Sequence, residues 1–337
     1  MAMFGWKAGA EQYGPRELLE MATAAEDAGF EAASISDHFH PWDESGQSPF
    51  AWTWLGAAAA RTTRMQLGTG LTAPILRYHP AIIAQAVATL AELAPGRAFV
   101  AVGTGEALNE YSATGLWPGH TGRQRRVEEA VELMRKLFAG DPVTHRGRYY
   151  QTHQAKLYTR PEQAPPVYVG SSVPASARFA GRVGDGLLTV GGKEPAFYRE
   201  LLGEFEAGAR EAGKDPAVMP KLIEVSVSYG NPREAALAAR KQYWAGTMIP
   251  ALFRHRIYTP AESAENGALV GEEAMLKSMC MSDDPAEHVA FARQFLDLGF
   301  TGLFFHSAGP DQFAFIEGYG RDVLPALRAL GARTRAA

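Results

Sequence analysis

Eight short apolar runs, separated by stretches of helical periodicity, punctuate this chain from end to end. They fall at residues 4–8, 32–35, 65–69, 98–102, 167–170, 186–190, 223–229 and 302–306. Helical patterns occupy 16–28, 81–93, 124–138, 198–212 and 233–243. Such alternation specifies a parallel sheet, because each parallel connection needs a crossover that a helix supplies. Eight units in 337 residues predict a (β/α)8 TIM barrel with insertions. A doubly wound sheet is the second reading, but no break in composition divides the chain. The expectation is one barrel domain over 1–337, interrupted at about 140–163 and 245–272. Two joints echo each other, Asp27-Ala28-Gly29-Phe30 and Asp297-Leu298-Gly299-Phe300. In both, Gly is suited to the left-handed position that stops a helix, and Phe then enters the sheet.

Composition narrows the partners. A formal net charge of −4 argues against a general nucleic-acid binder, which needs a basic surface. The single cysteine, Cys280, excludes an internal disulfide and a Cys-rich metal site, and reads as a small packing hydrophobe. No apolar run reaches membrane-spanning length, and the N-terminus lacks the pattern of a secretory leader. The expectation is a cytoplasmic enzyme acting on a small molecule.

Titratable groups gather where two predicted strands end, as they do at the C-terminal mouth of enzymatic barrels. The first cluster is Ser36-Asp37-His38-Phe39-His40-Pro41-Trp42 and the second is Gly103-Thr104-Gly105-Glu106-Ala107-Leu108-Asn109-Glu110. A metal held by His38 and His40 would need a third ligand, and only His306 is available to join them. His38 reads instead as a general base, with Asp37 and Trp42 near enough in sequence to set its orientation; His40 reads as a packing residue. Glu106 stands in a turn of small residues that lets a backbone approach a flat ligand, although a tight turn with a surface Glu fits as well. Asn109 and Glu110 are equally suited to capping the next helix. The glycines of Gly68-Thr69-Gly70-Leu71 suggest close approach of a ring, or ordinary loop punctuation. Ser171-Ser172-Val173-Pro174 opens a helix whose free N–H groups suit a phosphate, or is simply an N-cap.

Together these motifs resemble the luciferase-like barrel superfamily, and more narrowly the dehydrogenases of the glucose-6-phosphate dehydrogenase type that use the deazaflavin coenzyme F420. The resemblance covers almost the whole chain and rests on Ser36-Asp37-His38-Phe39, Pro41-Trp42, Arg77-Tyr78, the string from Gly103 to Glu110, Pro166-Val167-Tyr168, Ala180-Gly181-Arg182, Gly184-Asp185-Gly186 and Phe305-His306. It implies catalytic roles for His38 as base, Glu106 as proton donor on the ring side, and Trp42 in shaping the pocket. It implies F420 contacts at Asp37, Gly70, Leu71, Ala73, Thr104, Gly105 and Asn109. Ser172 and Val173 would line the cofactor's phosphate-bearing tail, in place of a family Gly-Gly pair. Substrate contacts are implied at Thr189, Lys193 and Lys277, and the assembly at a homodimer. The substrate side departs from the pattern. One extra residue precedes Lys193, Lys277 stands for an Arg, and a second Lys is absent near Ala264. Arg254 and Arg256 either compensate or form a solvated face. A sugar phosphate and an uncharged alcohol both remain open, as do an FMN-dependent monooxygenase, a metal-assisted hydrolase and a non-catalytic cofactor carrier on the same barrel.

Overall fold

The computed structural model describes residues 2–249 and 257–333, so Arg254 and Arg256 lie outside the described residues. The predicted strands form as β1 (Met3–Ala8), β2 (Ala32–Ile35), β3 (Gln66–Thr69), β4 (Ala98–Val102), β5 (Val167–Gly170), β6 (Gly186–Val190) and β7 (Lys221–Ser228). A short strand without a sequence signal follows, β8 (Met279–Met281), and then the last predicted one, β9 (Gly302–Ser307). All pairings are parallel, and the β6–β7 pairing closes an eight-membered ring through β9 and β1. The doubly wound alternative is thereby excluded, because an open sheet has no such closure.

β8 has a specific cause. β6 pairs with β7 only from Leu187↔Lys221 to Val190↔Glu224. Above that level the strands part, and the free edge of β7 is taken up by Ser226↔Met279, Val227↔Cys280 and Ser228↔Met281. An unpaired row of backbone groups is thus satisfied at the rim. Cys280 is buried in this strand, which pushes its thiol up to about 12 and keeps it inert.

Strand alternation sorts side chains into two cores. Ala32, Phe99, Ala101, Tyr168, Leu188, Leu222 and Phe304 fill the lower barrel interior. Residues one position along, such as Trp6, Ala33, Val100, Leu187 and Ile223, pack outward against the helices. The two joints behave as predicted. Gly29 and Gly299 end their helices with φ of 97° and 105°, and Phe30 and Phe300 donate backbone N–H bonds back to Ala25 and Phe295.

Both interruptions serve the mouth of the barrel. Residues 140–163 form an irregular hairpin, bridged at Val143↔Ala155 and Arg146↔Gln151. It covers no sheet edge, since the closed ring has none there. Glu129, on helix His120–Ala139, accepts the backbone N–H groups of Arg148, Tyr149 and Tyr150, and Tyr150 Oη donates to the carbonyls of Pro74 and Ile75. The hairpin therefore braces the loop leaving β3. The second interruption contains helix Pro260–Gly267, started by a Thr259–Glu262 capping box. It crosses to the opposite rim, where the Tyr258 and Tyr111 rings lie 4.2 Å apart and Ser112 donates to the Tyr258 carbonyl. Ile257 is buried there with Trp42, Leu108, Trp244 and Ala308. Among the described residues no helix is long and apolar enough to cross a membrane.

Candidate active site

The inward-facing positions above the lower core carry charge. β1 contributes Lys7, 2% exposed, whose ammonium donates to Ser36 Oγ beyond the end of β2. The chain leaving β1 turns at once and delivers Glu11, 1% exposed, into the mouth. His38 follows β2, and its Nδ1 lies 3.0 Å from Glu11 Oε1. Its other nitrogen, Nε2, lies 3.7 Å from Oε2 of Glu106, the residue that begins helix Ala107–Thr114 after β4. Trp42 stands edge-on to the imidazole, with ring centroids 4.8 Å apart and planes at 87°. Three groups far apart in sequence thus form one line, Glu11–His38–Glu106.

The electrostatics follow from that line. Burial alone would hold the Glu11 carboxyl up, but His38, Lys7 and the Ser36 hydroxyl outweigh it and bring Glu11 down to about 2. Burial works against the His38 imidazolium, yet the Glu11 carboxylate, helped by Glu106, raises its pKa above the ordinary value. Glu106 is pushed up chiefly by burial, against the pull of His38 and the Asn109 hydrogen bond, with repulsion from Glu11 and Glu110 adding to the rise.

Glu11 has no motif of its own, and the sequence reading missed it. The same reading gave Asp37 the orienting role, and the structure corrects that. Asp37 turns away from His38, accepting from Tyr78 Oη at 2.9 Å and from the Thr72 hydroxyl. Arg77 ties this patch together, binding Glu110 through Nε at 2.8 Å and the Asp37 carbonyl at 2.6 Å. Asn109 is no simple cap. Its side-chain carbonyl accepts the N–H groups of Phe39 and His40, while its amide donates to Glu106 at 3.1 Å. One amide therefore locks the His38 loop to the Glu106 turn. Glu110 is likewise a buried ion-pair partner rather than a cap.

An apolar floor lies beside this line. The Gly70–Leu71 peptide is cis, and the Leu71 side chain spreads over the inner core. A Cβ at Gly103 would sit 2.7 Å from Leu71 Cδ1, and one at Gly170 only 2.3 Å, so those glycines make the room that Leu71 fills. Gly105 takes φ of 67°, packed on Ala73 and Glu110, which keeps the Thr104–Glu106 turn close to the floor. Ala73 is buried and Thr104 half-buried, its carbonyl accepting from Arg123. Ser172 and Val173 are exposed at the start of helix Pro174–Val183, where Val173 provides no side-chain cap; the Ser171 hydroxyl is spent on Val173 O and Ser176. A flat surface bounded by small residues, with a helix start at one end, fits a tricyclic ring carrying a phosphorylated tail, although the Ser176 and Ala177 N–H groups of that helix are already given to Val173 O. Among the described residues no three His, Cys, Asp or Glu side chains converge as metal ligands.

The profile of the family described as Luciferase-like monooxygenase matches residues 2–302. The chain belongs to that family. Among its curated relatives in this luciferase-like family are an F420-dependent glucose-6-phosphate dehydrogenase of Nakamurella multipartita, 43% identical over 97% of each chain, and one of Mycolicibacterium gilvum, 43% identical over 97% of this chain and 98% of the other. A solved structure of an F420-dependent secondary alcohol dehydrogenase, in complex with an F420-acetone adduct, superposes with a TM-score of 0.92 at 38% identity, covering 97% of this chain and 99% of that one. The coenzyme F420-dependent tetrahydromethanopterin reductase from Methanopyrus kandleri gives 0.80 at 26% identity, covering 97% and 99%.

In this luciferase-like barrel the three expected substrate residues do not gather beside His38. Thr189 pairs in register with Ile223, which packs outward, so Thr189 faces the helices; it is 3% exposed with its hydroxyl unpartnered. Its neighbour Val190 pairs with the inward Glu224 and faces the mouth, 51% exposed. Lys193 and Lys277 line one cavity of about 150 Å³, but its other walls include Tyr198, Phe291, Gln294, Phe295 and Leu298 of the outer helices. Lys277 is 75% exposed and paired with Glu273 at 2.7 Å. His40 is half-buried and touches Phe39, ring centroids 5.2 Å apart, consistent with a packing role.

Proposed function

We propose that the protein is an F420-dependent dehydrogenase acting on the carbinol carbon of a sugar phosphate or related alcohol. The observation that carries this reading is the Glu11–His38–Glu106 line beside the Leu71 floor. Gly70, Leu71, Ala73, Thr104, Gly105 and Asn109 border the surface on which the ring would rest, with Asp37 behind it and Ser172 and Val173 toward the tail. When bound, the deazaflavin supplies a hydride acceptor at C5.

The residues supply the proton chemistry. The ionised Glu11 carboxylate, 3.0 Å from Nδ1, favours the tautomer of neutral His38 that carries its hydrogen on Nδ1 and leaves the Nε2 lone pair available. The 3.7 Å gap from Nε2 to Glu106 is too long for a hydrogen bond and leaves Nε2 open to a substrate hydroxyl. The hydroxyl proton passes to Nε2 as the carbinol hydride departs, and Glu11 stabilises the imidazolium that forms, as the buried carboxylate does in a nucleophile–His–Asp triad. Glu106, whose pKa burial raises above the ordinary carboxyl value, serves as proton donor on the ring side. Trp42 and Trp244, buried together with Leu108, Ile257 and Ala308, form the apolar wall beside this line. We also propose that residues 1–337 act as one barrel domain, in the cytoplasm, and that two copies associate.

Titration with oxidised F420 should quench its fluorescence at micromolar affinity or better, while FMN gives no signal. An alcohol panel should then bleach the deazaflavin, and His38→Ala should lower kcat about 10²–10⁴-fold. A loss below fivefold removes His38 from the role; preference for FMN rejects the cofactor assignment.

A further inference from the structure

One buried cation in the mouth has no use in the reaction just described. Arg240 lies on helix Arg233–Trp244 and is 5% exposed, yet it makes no hydrogen bond or ion pair among the described residues, and its Nε is buried without a partner. A guanidinium has five donors, and burying it unmatched costs stability, so a buried unpaired one is a candidate to bind a ligand.

Its surroundings place it at the substrate. Trp244, one helical turn further on, lies over His306 with ring centroids 4.1 Å apart, so this helix face looks into the barrel. His306 is 2% exposed; its Nδ1 is 3.9 Å from the inward-facing Glu224, and its Nε2 is buried without a partner. Burial, reinforced by the nearby charges of Arg240 and Lys7, takes His306 down to about 3, so it stays neutral. Burial brings Arg240 down to about 10 against the pull of Glu224, and it stays charged at neutral pH. Burial also pushes the Glu224 carboxyl above its ordinary value, against the pull of Lys7 and Arg240.

We propose that Arg240, together with His306, anchors an oxyanion (a phosphate or a carboxylate) on the alcohol substrate. This rests on the dehydrogenase reading and extends it to the substrate class. A planar fork of donors matches an oxyanion bidentately, whereas a lone hydroxyl would leave most of the donors and the charge unmatched.

The test compares wild type, Arg240→Ala, Arg240→Lys and Arg240→Leu in the full-length chain. F420 reduction is followed with glucose 6-phosphate, 3-hydroxybutyrate and 2-propanol, and melting is followed with and without inorganic phosphate. Arg240→Ala should raise KM for the anionic alcohol about 10–100-fold while kcat falls much less, with partial recovery in Arg240→Lys and an effect on 2-propanol at least tenfold smaller. Which anionic alcohol responds separates phosphate from carboxylate. Phosphate should raise the melting temperature of wild type and not of Arg240→Leu, which itself should melt no lower than wild type. An unchanged KM for the anionic alcohol, or turnover of 2-propanol with neither anionic compound, overturns the proposal. If no alcohol reduces F420, the dehydrogenase reading falls, and loss of the phosphate effect in Arg240→Leu still decides the anchor.

Discussion

Replacing Glu11 by Gln isolates the contact on which the proposed proton transfer depends. The substitution keeps the shape and an accepting oxygen but removes a charge whose Oε1 lies 3.0 Å from His38 Nδ1. Both charges are delocalised, so their centres are about 4–5 Å apart, and at an effective dielectric near 20 the imidazolium loses about 3–4 kcal/mol. With a proton half transferred in the transition state, about half of that reaches the barrier, and kcat for alcohol oxidation should fall about 10–30-fold. The pH profile adds a signature that mere misfolding would not produce. Oxidation needs neutral His38, and Glu11 raises its pKa, so the wild-type rate should rise with pH along a limb above the ordinary histidine range. In Glu11→Gln the dominant remaining influence is burial, which opposes the imidazolium, and the limb should move to lower pH. The assay is deazaflavin bleaching across pH, with the His38 Cε1–H proton shift of the cofactor-free protein as a second readout. A limb that stays in place, with kcat within threefold of wild type, would refute Glu11 as the group that sets His38.

Two further outcomes follow from the scaffold around that line. Arg77→Met strips the cation from Glu110, whose side chain is 0% exposed, and should cost about 3–5 kcal/mol in urea unfolding at neutral pH. Because burial, aided by Asp37, already holds Glu110 above its usual carboxyl range, the deficit should shrink in acid, where protonated Glu110 needs no counter-ion; a loss under 1 kcal/mol at neutral pH would mean that the ion pair is not structural. Gly170→Ala places a Cβ 2.3 Å from Leu71 Cδ1 and forces that flexible side chain off the floor. Deazaflavin affinity measured by fluorescence quenching should weaken about tenfold for an overpacking cost of about 1–3 kcal/mol, and unaltered affinity would show that Leu71 does not support the ring.

The barrel was legible because strand–helix alternation is a local signal repeated eight times, and the two Gly-Phe joints carry their own turn chemistry. β8 was not, because its three residues become a strand only where β6 and β7 part and leave an edge to be paired. His38, Trp42 and Glu106 could be picked out because each lies just beyond a strand end, where polar groups break an apolar pattern. Glu11 gave no such signal. It lies 27 residues before His38 in an ordinary-looking turn, and only closure of the ring brings the two together. Arg240 was silent for the same reason, as one more arginine on a polar helix until the fold buries it.

The substrate residues show the sharpest limit. A strand's faces alternate every residue, so an assignment off by one exchanges inside for outside, and Thr189 and Val190 differ by that single step. Which of them faces the mouth is fixed by the pairing of Val190 with Glu224, a relation between strands that no stretch of one strand contains. Sequence alone determined the strand–helix order, the closure it permits and the strand ends that carry chemistry, because those depend on neighbours along the chain. Which charges face each other across the barrel was decided only by the tertiary fold, because electrostatic strength depends on distance and burial in space, and neither is written in the order of residues.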